Sequence, residues 1–257
     1  VEPGRLDRIM LFGTPTTYAD GTTATVVPDG PQGHVAIQGA GTAPLPTHFH
    51  GVDQFQVFVT GDGTVGRHRV RAGTAHYADR LTVYGPLEPG AAGMAYLTLR
   101  AAHDPGASFM PGARDALADG LANSPRPASA RRNIAVDLLA VPAVPSPSDD
   151  TSPLAPGGFS SLVADDDGLS VAVARTPAGG EVDLPETRAP GAYLLVVEGA
   201  VQRGAIGHVE PGDPEPGELP AGSLAWLAPG TSGSVVGSRH GCTLAVLQFP
   251  AFDAARN

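Results

Sequence analysis

Lysine is absent from the 257-residue chain, so all sixteen basic side chains are arginines. This excludes chemistry that needs a lysine amine, including Schiff bases, pyridoxal phosphate anchoring and a Walker-type phosphate loop. Cysteine occurs once, at Cys242 in an apolar stretch. A single thiol rules out an intrachain disulfide and a cysteine zinc cluster, and it fits a reducing compartment. Positive charge is also scarce: 16 basic residues against 26 acidic ones leave a net charge of -10, which argues against nucleic acid or an anionic membrane as the main partner. No apolar run approaches the roughly 20 residues that span a bilayer. Val1–Gly13 lacks the charged-then-apolar order of a signal peptide, although a start at valine is compatible with trimming. A cytoplasmic protein with a small-molecule partner is expected. A serine nucleophile is not signalled, because Gly230-Thr-Ser-Gly233 lacks the Gly-x-Ser-x-Gly spacing.

What is abundant is glycine (34) and proline (26), with 42% hydrophobic and 16% charged residues. That composition belongs to a folded chain of many short strands joined by turns, so an all-β fold is expected. Apolar stretches broken by turn residues run from about Thr22 to Arg100 and from about Phe159 to Pro250. Between them lie a short helix at Arg114–Asn123, turn-rich segments at Ser124–Arg132 and Pro142–Pro153, and a strand at Ile134–Val141. The expected division is residues 1–103, a linker at 104–152, and residues 153–257.

Alternation is strongest at Gln54–Thr60, where Phe55, Val57 and Val59 share one face and Gln54, Gln56 and Phe58 the other. Thr64–Arg71 reads as a further strand with Arg67, Arg69 and Arg71 on a solvent face. The halves also resemble each other: Gln54-Phe-Gln-Val-Phe-Val-Thr-Gly61 aligns with Ala192-Tyr-Leu-Leu-Val-Val-Glu-Gly199 at an offset of 138 residues (199 minus 61). Ala72-Gly73-Thr74 matches Ala221-Gly222-Ser223 at 149, so a loop around Gly207–Leu219 holds the extra residues. Duplication and divergence account for this.

Six of the eight histidines lie in the first half, and the tightest group is Thr47-His48-Phe49-His50. Strand residues two apart point the same way, so both imidazoles can serve one ion. His48-x-His50-x3-Gln54-x6-Gly61 resembles the first motif of the cupin superfamily, with Gln54 where the family usually has glutamate. The second motif falls, without a gap, on Gly73, Asp79, Leu81 and Tyr84, and Tyr84 stands at the usual histidine position. Tyr84-Gly85-Pro86 and the Gly61-Asp62-Gly63 turn strengthen the resemblance.

Together with the repeat, the resemblance implies two jelly-roll barrels in one chain, a bicupin. It implies a divalent metal (zinc, nickel, manganese or iron) in the N-terminal barrel on His48, His50 and Gln54, completed by His76, then Tyr84, then His68. Tyr84 is also a candidate general acid beside that ion, and Gln56 and Phe58, on the face of Gln54, are expected at the substrate. In the second barrel the metal positions read Glu186, Arg188, Ala192 and Gly233, so that barrel is expected to be structural, with Glu186 and Arg188 paired or on the surface. A neutral ligand set leaves the ion a strong Lewis acid, which favours isomerisation, cyclisation or a lyase step. An iron dioxygenase and a non-catalytic small-molecule binder are the alternatives. The apolar outer strand faces call for a second barrel, within the chain or across a homodimer. Asp165-Asp166-Asp167-Gly168 lacks EF-hand spacing and reads as a solvated turn. His208 and His240 have no partner at a ligand spacing, and Trp226 reads as core.

Overall fold

The computed structural model describes residues 6–12, 14–17, 23–26, 30–124, 126–127, 130–140, 158–202 and 217–251. The turn-rich 142–153 segment, His208 and most of the 207–219 loop lie outside them. Among the described residues there is one α-helix, and no helix is long and apolar enough to cross a membrane.

The described residues divide into two units, one up to Asp137 and one from Leu138 onward. The first contains β1 (Leu6–Phe12), β2 (Thr14–Thr17), β3 (Thr23–Val26), β4 (Gln32–Gln38), β5 (His48–Phe49), β6 (Gln54–Val65), β7 (His68–Arg71), β8 (Thr74–Ala78), β9 (Leu87–Arg100), β10 (Ser108–Phe109), α1 (Arg114–Ala122) and β11 (Asn133–Asp137). The second contains β12 (Ser160–Ala164), β13 (Ser170–Thr176), β14 (Glu181–Asp183), β15 (Ala192–Gln202), β16 (Glu218–Pro220), β17 (Leu224–Leu227) and β18 (Ser234–Gln248).

The main sheet of the first unit runs β1-β4-β9-β6-β8-β11, and that of the second runs β12-β13-β18-β15-β16. The long central pairs, β6 with β9 and β15 with β18, are antiparallel and carry the same irregularity. Gly61 faces Met94 across one pair and Gly199 faces Cys242 across the other, each at a register shift. Both glycines have a φ of +72, and an added Cβ would meet a carbonyl oxygen, Gly93 O at 2.0 Å or Gly241 O at 2.3 Å. A left-handed backbone pressed against the neighbouring strand admits only glycine. The sequence repeat therefore marks one bulge, built twice.

The polar face of β6 turns inward. Cross-strand partners share a face, so the register Gln56 to Thr98 to His34 lays three polar side chains across the sheet. Gln54 and Arg100 follow two residues along on the same face. The other face, with Phe55 against Tyr77 at 4.8 Å between ring centroids, is buried too. Thr64–Arg71 is a hairpin rather than one strand: it turns at Gly66, and Arg67, Arg69 and Arg71 are exposed as expected.

Residues 104–137 were expected as linker but belong to the first unit. The strand there is β11, which ends at Asp137 and pairs with β8. The segment is fastened by Asp79, which accepts hydrogen bonds from the Arg132 backbone N–H at 2.6 Å, Arg132 Nη2 at 2.8 Å and Tyr77 Oη at 2.8 Å. Leu81, at the glycine position of the second motif, takes a φ of 59. Its buried side chain packs where a Cβ on Gly120 of α1 would come within 3.0 Å of it. The left-handed turn of the motif thus persists without its glycine, held by apolar burial.

In the second unit Cys242 is core, with its thiol 3.0 Å from Thr176 Oγ1, and burial pushes its pKa up. Trp226 is half-buried against Tyr193. Asp165–Gly168 forms the β12–β13 turn, closed by Gly168 N–H to Asp165 O at 2.9 Å.

Candidate functional site

Backbone pairing assembles the site. His48 exchanges hydrogen bonds with Tyr84, N–H to O at 3.0 Å in each direction, which holds the two rings 4.6 Å apart. His50 O accepts from Leu81 N–H at 2.8 Å, so the second-motif turn also positions the second imidazole. Gln54, Gln56, Thr98 and Arg100 come from the inward face of the sheet. Between them lies a cavity of about 380 Å³ that His34, His48, His50, Gln54, Tyr84 and Arg100 help to line.

These side chains form one continuous network. His48 Nδ1 donates to Pro46 O at 2.7 Å, which leaves Nε2 as the acceptor, 3.1 Å from Tyr84 Oη. Gln54 Nε2 donates to the Tyr84 hydroxyl. Gln54 Oε1 accepts from Arg100 twice, at 2.7 Å from Nη2 and 3.0 Å from Nε, while Arg100 Nη1 donates to Gln32 Oε1 at 2.6 Å. Asp104 closes the chain: its carboxylate lies 3.4 Å from Arg100 Nη2 and accepts from His50 Nδ1 at 2.7 Å and from Gly106 N–H at 3.1 Å.

The electrostatics follow from burial beside one guanidinium. Burial, then the neighbouring His50 and Arg100 charges, brings His48 down to about 4, and burial with Arg100 also lowers His50. Burial opposes ionisation of Asp104, but Arg100 and His50 outweigh it and hold the carboxyl at about 2. Burial pushes Tyr84 well above the usual phenol range despite Arg100. At neutral pH the site therefore holds neutral imidazoles, a protonated phenol and one buried Arg–Asp pair.

Of the expected metal ligands, His48 and His50 fit a divalent ion. Each has Nδ1 beside a protein oxygen, the outer contact that metal-bound histidines show, and both residues line the cavity; His48 Nε2 faces Tyr84 Oη, and His50 Nε2 lies 3.5 Å from Arg100 Nη2. Gln54 does not join them, since its oxygen is committed to Arg100. His76 stands apart. Its ring nitrogens lie 3.0 Å from Gln56 Oε1 and 2.8 Å from Asn133 Oδ1, on the two strands that flank β8. Because a neutral imidazole donates once and accepts once, one of those amides turns its NH2 to the ring. Among the described residues no cluster of three or more His, Cys, Asp or Glu side chains is arranged to hold a metal. Tyr84 is the remaining donor at His48. Gln56 lines the cavity as expected, whereas Phe58 lies deeper, packed on Tyr96 at 5.1 Å. His68 lies against His76, with ring centroids 5.8 Å apart.

Arg100, Asp104 and His34 were missed. Asp104 fell in the expected linker, and Arg100 ended an apolar strand. The alternation Gln32-x-His34 on β4 was the signal available for His34. In the second barrel Glu186 and Arg188 are exposed and form no ion pair with each other. Arg188 N–H donates to Gln248 Oε1 at 3.0 Å instead, and His240 is exposed on the surface.

Burial sets a pH signature at His76. Its pKa is brought down to about 4 from 6.5, chiefly by burial. The unfolded chain thus takes up a proton first as pH falls. The stability that neutral His76 contributes is complete above about 6.5 and is lost on the way down to about 4. Between pH 7 and pH 5 the parent is expected to lose roughly 2 kcal/mol more in urea unfolding than His76→Gln; equal losses would contradict the assignment.

No family model and no curated protein matches the chain. Solved structures do. A protein of Nostoc punctiforme provisionally assigned as a dioxygenase superposes with a TM-score of 0.56 at 9% identity, over 96% of this chain and 83% of that one. A bacterial pirin of Escherichia coli, solved in complex with nickel(II), gives 0.53 at 11% identity over 98% and 95%. The 11S globulin of Wrightia tinctoria, in which an auxin site is described, gives 0.53 at 11% over 87% and 76%. At such identities the likeness carries the fold alone. The chain has the cupin fold, two jelly-roll barrels in one polypeptide.

Proposed function

We propose that the N-terminal barrel is the active centre of a divalent-metal-dependent enzyme acting on a small oxygenated organic molecule. The observation that carries this reading is the matched placement of His48 and His50, both lining the cavity and each with Nδ1 2.7 Å from a protein oxygen, Pro46 O for one and Asp104 Oδ2 for the other. When bound there, the ion supplies Lewis acidity toward a carbonyl or enol oxygen, the basis for an isomerase, cyclase or lyase step. Arg100 fixes Gln54, and Gln54 aims its NH2 at Tyr84, so the phenol proton is directed to His48 or to a substrate oxygen that takes its place. Asp104 keeps the His50 proton on Nδ1. The second barrel is structural: Ala192 stands where the first has Gln54.

Cobalt(II) titration of chelator-treated protein, followed by its visible absorption, tests the ligand set. The parent and His76→Ala are expected to take up about one equivalent with the same spectrum, and His48→Ala/His50→Ala none. Loss of binding in His76→Ala, or uptake by the double variant, would overturn it.

A further inference from the structure

The inward face of the first unit's sheet is layered in rows. Gln32, Arg100 and Gln54 form one row, bonded within itself and onward to Tyr84 and His48. Two residues along the strands, about 7 Å further, the next row runs His34, Thr98, Gln56 and His76 across β4, β9, β6 and β8. The row after that, Ala36, Tyr96 and Phe58, packs into the apolar core.

The middle row differs from both neighbours, because it is polar and most of its polar groups have no protein partner. His34, Thr98 and Gln56 line the cavity and are only 6%, 4% and 3% exposed. His34 Nδ1 is sealed from solvent with no hydrogen-bond partner among the described residues. The ring proton therefore belongs on Nε2, the polar atom that His34 has left to offer a ligand. The Thr98 hydroxyl makes no hydrogen bond among the described residues, and Gln56 commits one end of its amide, to His76 at 3.0 Å. Buried polar groups are normally paired, and an unpaired one lowers stability. Three such side chains abreast on a cavity wall call for a partner that the chain does not supply. The row is also uncharged: burial, then Arg100 and Arg8, pushes the pKa of His34 well down.

We propose that His34 and Thr98, with Gln56 beside them, bind the substrate through a second, uncharged oxygen function, a hydroxyl or a carbonyl, one row along from the His48, His50 and Tyr84 end of the cavity. The inference rests on reading the cavity as the substrate site, and it gives the substrate two separated oxygen functions. An uncharged oxygen suits this row because His34 Nε2–H donates to it, while the Thr98 hydroxyl donates to a carbonyl or accepts from a hydroxyl.

Ligand-observed NMR titration of the full chain, chelator-treated, with acetophenone and benzyl alcohol against toluene tests it, beside urea unfolding of the same preparations. At least one oxygenated probe is expected to bind, and His34→Leu and Thr98→Val are each expected to weaken it about threefold or more without weakening toluene. Both variants are expected to unfold at or above the urea midpoint of the parent, since each removes a polar group that the fold leaves unpaired. Gln54→Leu, in the bonded row, is expected to unfold at a lower midpoint. Thr98→Val keeps the side chain's shape and carries the test if His34→Leu fails to fold. Binding of neither oxygenated probe, unchanged affinity in the folded variants, or a lowered midpoint in both variants would overturn the proposal. The cobalt titration above decides the metal reading separately. Weakened oxygenated probes without cobalt uptake would sink the metal reading alone, and cobalt uptake with unchanged probe affinities would sink this inference alone.

Discussion

Asp79→Ala is expected to lower stability by roughly 3–5 kcal/mol, the cost of removing one partner from a buried ion pair. The Asp79 side chain is 1% exposed and Arg132 only 14%. The carboxylate receives the Arg132 backbone N–H, Arg132 Nε and Nη2, and the Tyr77 hydroxyl. Its loss removes the carboxylate that Arg132 and the Tyr77 hydroxyl share and unfastens the chain ahead of β11. Urea unfolding measures this; a change below about 1 kcal/mol would show that water replaces the carboxylate at little cost. Because Asp79 does not touch the cavity network, metal affinity in the folded variant is expected to be unchanged.

Asp104→Ala is expected to act on both quantities. Stability should again fall by about 3–5 kcal/mol, because Arg100, 4% exposed, loses its carboxylate in the interior. Metal affinity should fall about 10- to 100-fold as well, the usual consequence of removing the group that holds a ligand histidine's second nitrogen. The pH dependence has a definite sign. A carboxyl held at about 2, below its ordinary 3.8, contributes stability above pH 4 that is lost as the pH falls through about 2. If Asp104→Ala bound metal as tightly as the parent while Asp79→Ala did not, the roles assigned to the two carboxylates would be reversed.

The all-β class, the repeat and the His48–His50 pair were legible because each leaves a local periodic trace. Alternation marks strands, the aligned Gly61 and Gly199 mark a bulge that only glycine fits, and His-x-His puts two rings on one face. The rest of the site depends on register, which composition does not record. Gln54 matched a ligand position by spacing, yet the guanidinium that claims its oxygen lies 46 residues away on the neighbouring strand. On the sequence His76 ranked ahead of Tyr84 as the completing ligand; the pairing of β8 with β11 draws His76 toward Asn133, and the bridge to His48 draws Tyr84 into the cavity. Leu81 shows the opposite case, in which the motif's geometry survives although its glycine has gone.

The most direct test of the central claim is elemental analysis of tag-free protein beside the His48→Ala/His50→Ala variant, each after reconstitution with zinc, nickel, manganese and iron(II) and removal of excess metal. The account predicts about one equivalent of a single divalent metal per parent chain and none in the variant. No retained metal in the parent, or equal amounts in both proteins, would contradict it.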